Sequence, residues 1–286
     1  MANKGYTDTK RRCTGHTKGQ TLLKILVAMF TIIMVIAAGY AAVNYVKGLG
    51  QVESPPSYHD EPIDEPIDEL AKKERFLEKY YLANFNEDAK TIRVSGKISA
   101  AGKEQTFTLT KKRPNLMRLK IKNPPLEVTI GVNGEQVWRK IRVPTQPDTI
   151  TMIEGEEAAP WIEQGRFYDN IISASQGLGE IKSIVKSDYN SKTYLKVSIM
   201  NANDQYVDIL VDPKTLHPFA EFKTTKAGNQ TTLMSDFRDV DGMRLPFKIE
   251  THLNGELSQT TTITAVTINT GVLSDFFNVP TEIFGE

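Results

Sequence analysis

Residues 111–138 read KKRPNLMRLKIKNPPLEVTIGVNGEQVW, and their side chains alternate. Met117, Leu119 and Ile121 fall on one side of an extended chain, while Arg118, Lys120 and Lys122 fall on the other. After the Asn123-Pro124-Pro125 break, Val128, Ile130 and Val132 repeat the pattern, with Glu127 and Thr129 opposite. Asn133-Gly134 is a hairpin signal, and Gln136-Val137-Trp138 opens a third strand. The stretch is an antiparallel meander with one apolar face and one cationic, wet face. What covers such a sheet is the functional question.

Working outward, residues 69–85 have the spacing of a helix laid on a sheet, with Leu70, Leu77 and Tyr81 on one side and Phe76 and Tyr80 beside it. Residues 91–99 alternate as a strand, Ala101-Gly102-Lys103 makes a turn, and Phe107 and Leu109 continue on the next strand. Residues 141–155, with Pro144 and Pro147, read as irregular. Residues 156–175 read as helical around Trp161, Ile162, Phe167, Ile171 and Ile172, with an interruption near Gly165. Strands then return over 181–186, 194–200, 205–211, 217–225, 231–240, 244–253 and 259–269, joined by Gly228-Asn229, Asp241-Gly242 and Asn254-Gly255 among other turns. Ten or eleven antiparallel strands with helices only at the start and in the middle make a mainly β (α+β) domain. The expected architecture is one large curved antiparallel sheet, an unclosed β-barrel, with helices covering its concave apolar face.

The first 68 residues are of another kind. Residues 25–46, ILVAMFTIIMVIAAGYAAVNYV, carry no charge. As a helix they measure about 33 Å, enough to cross a bilayer. The basic tail 1–24 before them and the acidic residues after them favour a cytosolic N-terminus and an exported bulk. The preferred reading is a retained inner-membrane anchor with a periplasmic domain at 69–286. A cleaved signal is the alternative, with Ala37-Ala38-Gly39 as its site. Residues 47–68 hold Ser54-Pro55-Pro56-Ser57 and a doubled Glu-Pro-Ile-Asp, the composition of a semi-extended linker. Gly19 through Phe30 also resembles the start of type IV pilins and pseudopilins. It departs from them at Lys24, where that family carries a glutamate, so an ordinary anchor is the better reading.

Composition narrows the chemistry. The chain has 286 residues with 35 basic and 35 acidic side chains, so no charge excess favours nucleic acid. Its one cysteine, Cys13, lies in the basic tail, leaving the exported part without disulfides or thiolate metal sites. His16, His59, His217 and His252 have no metal-ligand spacing, and Asp236–Gly242 lacks the acid spacing of a calcium loop and reads as a hairpin rim. Neither a nucleophile elbow nor a phosphate or dinucleotide loop is present. The expectation is a non-enzyme without cofactor or metal.

The order of short motifs carries a resemblance. Lys112-Arg113-Pro114-Asn115-Leu116-Met117, a proline turn, an apolar strand, Asn133-Gly134 and Val137-Trp138 resemble the periplasmic lipoprotein carriers and receptors, the wider group of outer-membrane lipoprotein-sorting proteins. Asp236–Gly242, Leu245-Pro246, Ile263–Val266, Asn269, Phe277 and Pro280 extend the resemblance to most of the domain. It implies an unclosed barrel around helices, with an apolar cavity for acyl chains, and lipid or lipoprotein partners. It also implies that Arg113, at the position of the carrier arginine, bonds the covering helices and holds the empty cavity shut. Met117, Leu119, Val128, Ile130 and Trp138 are candidate cavity walls, and Trp161, Ile162 and Phe167 candidate parts of a movable cover, with plain core packing as the other reading of each. Carriers are free shuttles, whereas this chain carries an expected anchor. The functional expectation is therefore a membrane-tethered protein that holds acyl chains for lipoprotein sorting or transfer. A lipid sensor of the same fold and a pilin-like or other envelope assembly protein stay open as alternatives.

Overall fold

The computed structural model describes residues 60–61 and 69–281. The basic tail, the apolar stretch 25–46 and most of the linker lie outside these residues. Among the described residues no helix is long and apolar enough to cross a membrane.

Strands dominate because the chain supplies alternating apolar residues between tight turns. A two-residue pairing segment, β1 (Asp60–Glu61), precedes helix α1 (Glu69–Asn84). A meander follows: β2 (Thr91–Ala100), β3 (Lys103–Lys112), β4 (Leu116–Asn123), β5 (Leu126–Asn133), β6 (Gln136–Arg142) and β7 (Thr149–Ile153). Two short helices, α2 (Ala159–Gly165) and α3 (Asn170–Ser175), interrupt it. A second meander completes the sheet: β8 (Gly179–Tyr189), β9 (Lys192–Asn201), β10 (Tyr206–Val211), β11 (Pro218–Thr225), β12 (Gly228–Val240), β13 (Met243–Leu253) and β14 (Glu256–Ile268). A 3-10 turn, Ser274–Phe277, follows the last strand.

All strands belong to one antiparallel sheet in the order β1-β8-β9-β10-β11-β12-β13-β14-β2-β3-β4-β5-β6-β7. The two meanders join where β14 pairs with β2, from Gln259↔Ala100 to Ile268↔Ile92. The sheet curves but does not close, since β7 does not pair with β1 or β8. Its tight hairpins use left-handed residues where expected. Asn254 and Gly255 have φ of 50° and 85°, so the turn's twist matches that of the flanking strands.

Helices occupy the concave side. Met117, Leu119, Ile121, Val128, Ile130, Val132 and Val137 pack with Trp161 and Phe167 in one cluster. Ile181, Val197, Ile199, Val207, Ile209 and Val211 pack with Phe76, Tyr80, Ile171 and Ile172 in a second. Phe85 and Tyr168 touch both clusters.

Three features differ from the sequence expectation. Residues 141–155 are not wholly irregular, because the Thr-Ile run of β7 pairs with β6, Ile153 opposite Val137. The buried stripe of α1 is Phe76, Tyr80 and Asn84, with Leu77 and Tyr81 only half-buried, so the helix is turned by about one position. Trp138 is fully buried but on the convex face. The turn centres on Gly134 and Glu135, so Val132 pairs with Val137 and Trp138 stands opposite Gly131. Its indole fills the space that Gly131 leaves empty, under Phe277, whose carbonyl accepts the Nε1 proton at 2.9 Å. Trp138 therefore does not line the concave face.

A Cβ on Gly131 would fall inside that indole ring. Gly131→Ala is expected to destabilise the domain by about 1–3 kcal/mol, as an overpacked contact does. Chemical denaturation followed by tryptophan emission measures this. An unchanged midpoint would mean that the Trp138–Gly131 packing does not hold the C-terminal segment.

Candidate functional site

The covered concave face is the candidate site. Cross-strand pairs Leu119↔Ile130, Met117↔Val132 and Ile121↔Val128 form its floor. Met117, Val128 and Ile130 are at most 1% exposed, so the floor is closed over by the helices. Trp161 and Phe167 are buried against it and Ile162 is half-buried, which brings all three expected cover residues onto the four expected wall residues other than Trp138.

Few regular contacts hold that cover. The helices α2 and α3 have seven and six residues, too short to be stable unaided. They are joined by Arg166–Asp169, and four groups from elsewhere converge on this joint. Lys111, on the concave face of β3 opposite Met117, donates from Nζ to the Arg166 carbonyl at 2.8 Å. The Pro114 carbonyl accepts from the Phe167 amide at 3.2 Å. The Arg113 guanidinium lies over the Phe167 and Tyr168 rings, 5.2 and 5.1 Å from their centroids, and donates to the Asn86 carbonyl behind α1. Tyr80 of α1 donates its hydroxyl to Asp169 Oδ2 at 2.8 Å. Asp169 also caps α3 by accepting from the Ile172 amide through Oδ1 at 2.9 Å.

The segment Lys111–Asn115 thus acts as a hub. It reaches the cover through Lys111, Arg113 and Pro114, while Asn115 donates to the Gly134 carbonyl and ties one hairpin end to the next. A second polar tie holds the last turn of α2, next to the joint. Glu163 accepts from Asn201 at 3.0 Å and from Asn203 at 2.8 Å, in the β9–β10 connection. Asn170 reaches Glu221 Oε2 at 3.2 Å.

Burial makes these ties costly to ionise. Burial raises the Asp169 carboxyl above its usual range, although the Ile172 amide and Tyr80 hydroxyl pull the other way. Burial, followed by the Asp169 charge, pushes the Tyr80 phenol well up. Burial pushes the Lys111 ammonium down to about 8, with Asp169 partly offsetting it.

The face changes character along the sheet. Over β2–β7 it is mainly apolar, with Lys111, Arg139 and Thr151 set among the apolar side chains. Over β11–β14 it presents Glu221, Lys223, Gln230, Thr232 and Thr261, half-buried side chains on the same face as Ile209, Met234 and Ile98. An apolar floor with a polar mouth suits a ligand that has a long apolar part and a polar end. Among the described residues no group of three or more His, Cys, Asp or Glu side chains is placed to hold a metal ion. Asp236 has a left-handed φ of 54° inside β12 and pairs with Arg238, and Asp241-Gly242 is a turn, so this stretch is a strand and its rim.

Sequence reasoning missed Lys111, Tyr80, Glu163 and Asp169 as parts of the cover. Asp169 had a signal, since Asp-Asn before Ile-Ile starts a helix. Lys111 had one as well, since it continues the Phe107 and Leu109 alternation, although its charge masks the inward side.

No protein-family model and no curated protein matches the chain. Solved structures do match. A LolA superfamily protein from Nitrosomonas europaea is similar at TM-score 0.52 and 14% identity, over 72% of this chain and 97% of that one. A lipoprotein-sorting domain described as putative, from the outer-membrane class in Vibrio parahaemolyticus, matches at TM-score 0.53 and 10% identity, over 72% and 97%. A DUF1329 family protein from Desulfovibrio piger matches at TM-score 0.54 and 8% identity, over 74% and 98%. The chain shares their fold.

The folded state sheds the Lys111 proton near pH 8 and the free side chain near 10.5. Its contribution to stability is therefore smallest below about pH 8 and grows as pH rises toward 10.5. The stability of the natural protein relative to Lys111→Met is expected to be flat from pH 6 to 8 and to increase above that. Denaturant midpoints across the interval check it. A pH-independent difference would contradict a buried Lys111 on the cover.

Proposed function

We propose that the protein binds lipid or lipoprotein acyl chains between the concave face of its sheet and the α2–α3 cover, for lipoprotein sorting or transfer in the periplasm. The carrying observation is the cover itself. A mainly apolar floor is closed by two short helices whose joint is held by a handful of polar and cation–π contacts. Such a cover is cheap to displace compared with a continuous core. Alkyl chains that replace Trp161 and Phe167 on the floor regain the apolar contact, at about 0.8 kcal/mol for each buried CH₂. No catalytic group is required, so the proposed role is binding.

The shared fold supports this reading, and so does Arg113. It occupies the position that the lipoprotein-carrier resemblance assigns to the arginine holding an empty cavity shut, and it stacks on the cover while bonding behind α1. The uncharged stretch 25–46 supports a tether to the inner membrane, which makes a receiving or handing-on role more natural than a free shuttle. A lipid sensor would use the same pocket.

Two outcomes test the proposal. A Cβ on Gly165 would lie 3.3 Å from Val132 Cβ, close to disulfide geometry. In a Cys13→Ser background, V132C/G165C pins α2 to β5 when oxidised and frees it when reduced. The full chain should bind a fluorescent fatty-acyl probe only in the reduced form. Equal binding in both states would sink the proposal. Arg113→Met removes two ring stacks that favour the closed cover, and is expected to tighten probe binding by about fivefold. Weaker binding by a variant of unchanged fold would show that Arg113 does not hold the cover down.

A further inference from the structure

The opposite, convex face of β4–β6 has a character of its own. Arg118, Lys120, Lys140 and Arg142, with Glu127 and Thr129, line a shallow open depression, and Lys122 stands at its rim. Two carboxylates lie among these five cations. Glu127 pairs with Lys120 at 2.8 Å and Lys122 at 3.8 Å, and Asp148 pairs with Lys140 at 2.6 Å and Arg142 at 2.9 Å. Each carboxylate is shared by two cations, so the face keeps an excess of positive charge although the whole chain has none. Arg142 and Lys140 together hold Asp148 well below the usual carboxylate range.

Apolar side chains stand beside this charge. Phe276 is 40% exposed with the Arg118 guanidinium over its ring at 4.5 Å, and Leu273 in the same segment is 74% exposed. Met152, across from Trp138 on the same face, is 43% exposed. Lys112 reaches into the segment as well, donating to the Val272 carbonyl and the Ser274 hydroxyl. The acid in that segment is Asp275, which accepts from Asn278. An acidic protein surface would be met by the cations alone. Exposed Leu, Phe and Met flanked by Lys and Arg instead match the layering of a membrane interface, with headgroup phosphates at the cations and the first acyl carbons at the apolar tips.

We infer that the convex face of β4–β6, with Leu273 and Phe276 at its border, docks on an anionic phospholipid surface. The domain then lies on the bilayer with its covered concave face turned away from it. This assignment is independent of what the concave face holds.

Lysine acylation footprinting of the full chain, inserted in vesicles and read by mass spectrometry, tests it. In vesicles containing phosphatidylglycerol, labelling of Lys120, Lys122 and Lys140 should fall by about fivefold or more relative to pure phosphatidylcholine, and recover in 0.5 M salt (about 4 Å screening). Labelling of Lys186 and Lys214, on other parts of the domain, should not change. K120E/K140E should abolish the protection still reported by Lys122. L273S, which keeps every charge, should weaken it. Equal labelling in both vesicles would overturn the inference, as would protection that is equally strong in phosphatidylcholine. Protection that appears with protein concentration in the absence of vesicles would overturn it too, by assigning the face to a second copy of the chain.

Discussion

The fold depends on how four residues, Arg166–Asp169, are held. An unclosed, curved sheet with a mainly apolar concave face has to be covered, or it exposes Met117, Leu119 and Ile130 to water. The chain supplies helices of seven and six residues for much of that task, which have little stability of their own. What helps fix them is the joint between them, pinned by Lys111, Arg113 and Pro114 of one segment and by Tyr80 of α1. If that joint is released, the cover loses its orientation while the strand ladder beneath keeps its hydrogen bonds. The sheet is held by its own strand ladder, and the cover by this joint together with its packing on the sheet.

This arrangement explains why the apolar floor and the polar ties lie so close together. Removing a buried tie such as Asp169 would leave Tyr80 and the α3 amide unsatisfied, and an unpaired buried group costs about 1–3 kcal/mol. The cover is thus oriented by a few directional contacts in addition to the packing of Trp161, Phe167, Ile171 and Ile172. The convex face follows the opposite logic. Its cations remain near water, and its tryptophan, Trp138, is buried by the C-terminal segment through Gly131 and Phe277. Alternation in β4 alone supplies both characters, with Met117, Leu119 and Ile121 facing in and Arg118, Lys120 and Lys122 facing out.

Much of the sheet was legible because alternation is a strong signal. Apart from β7, the strands from Thr91 to Ile268 appear within a few residues of their expected bounds, and Asn254-Gly255 and Asp241-Gly242 turn as their chemistry demands. Two kinds of fact were hidden. The first is parity across a turn: Trp138 was a wall candidate, but a two-residue turn at Gly134-Glu135 pairs Val132 with Val137 and sends Trp138 outward. The second is contact between residues distant in sequence. Tyr80 and Asp169 are 89 positions apart, and neither carries a local sign of the other. The positions of Met117, Leu119, Val128 and Ile130 on one face were readable, whereas what fastens the cover over them was not.

The most direct test of the account is to ask where an acyl chain sits. The full chain would be irradiated with a fatty-acyl probe carrying a diazirine near its methyl end, and the adducts mapped by peptide sequencing. The account predicts adducts on the concave floor and its cover, at Met117, Leu119, Ile130, Trp161 and Ile162, that an excess of unlabelled acyl chain removes. Adducts confined to the convex side, at Trp138 or Phe276, or spread without saturation over the surface, would contradict it.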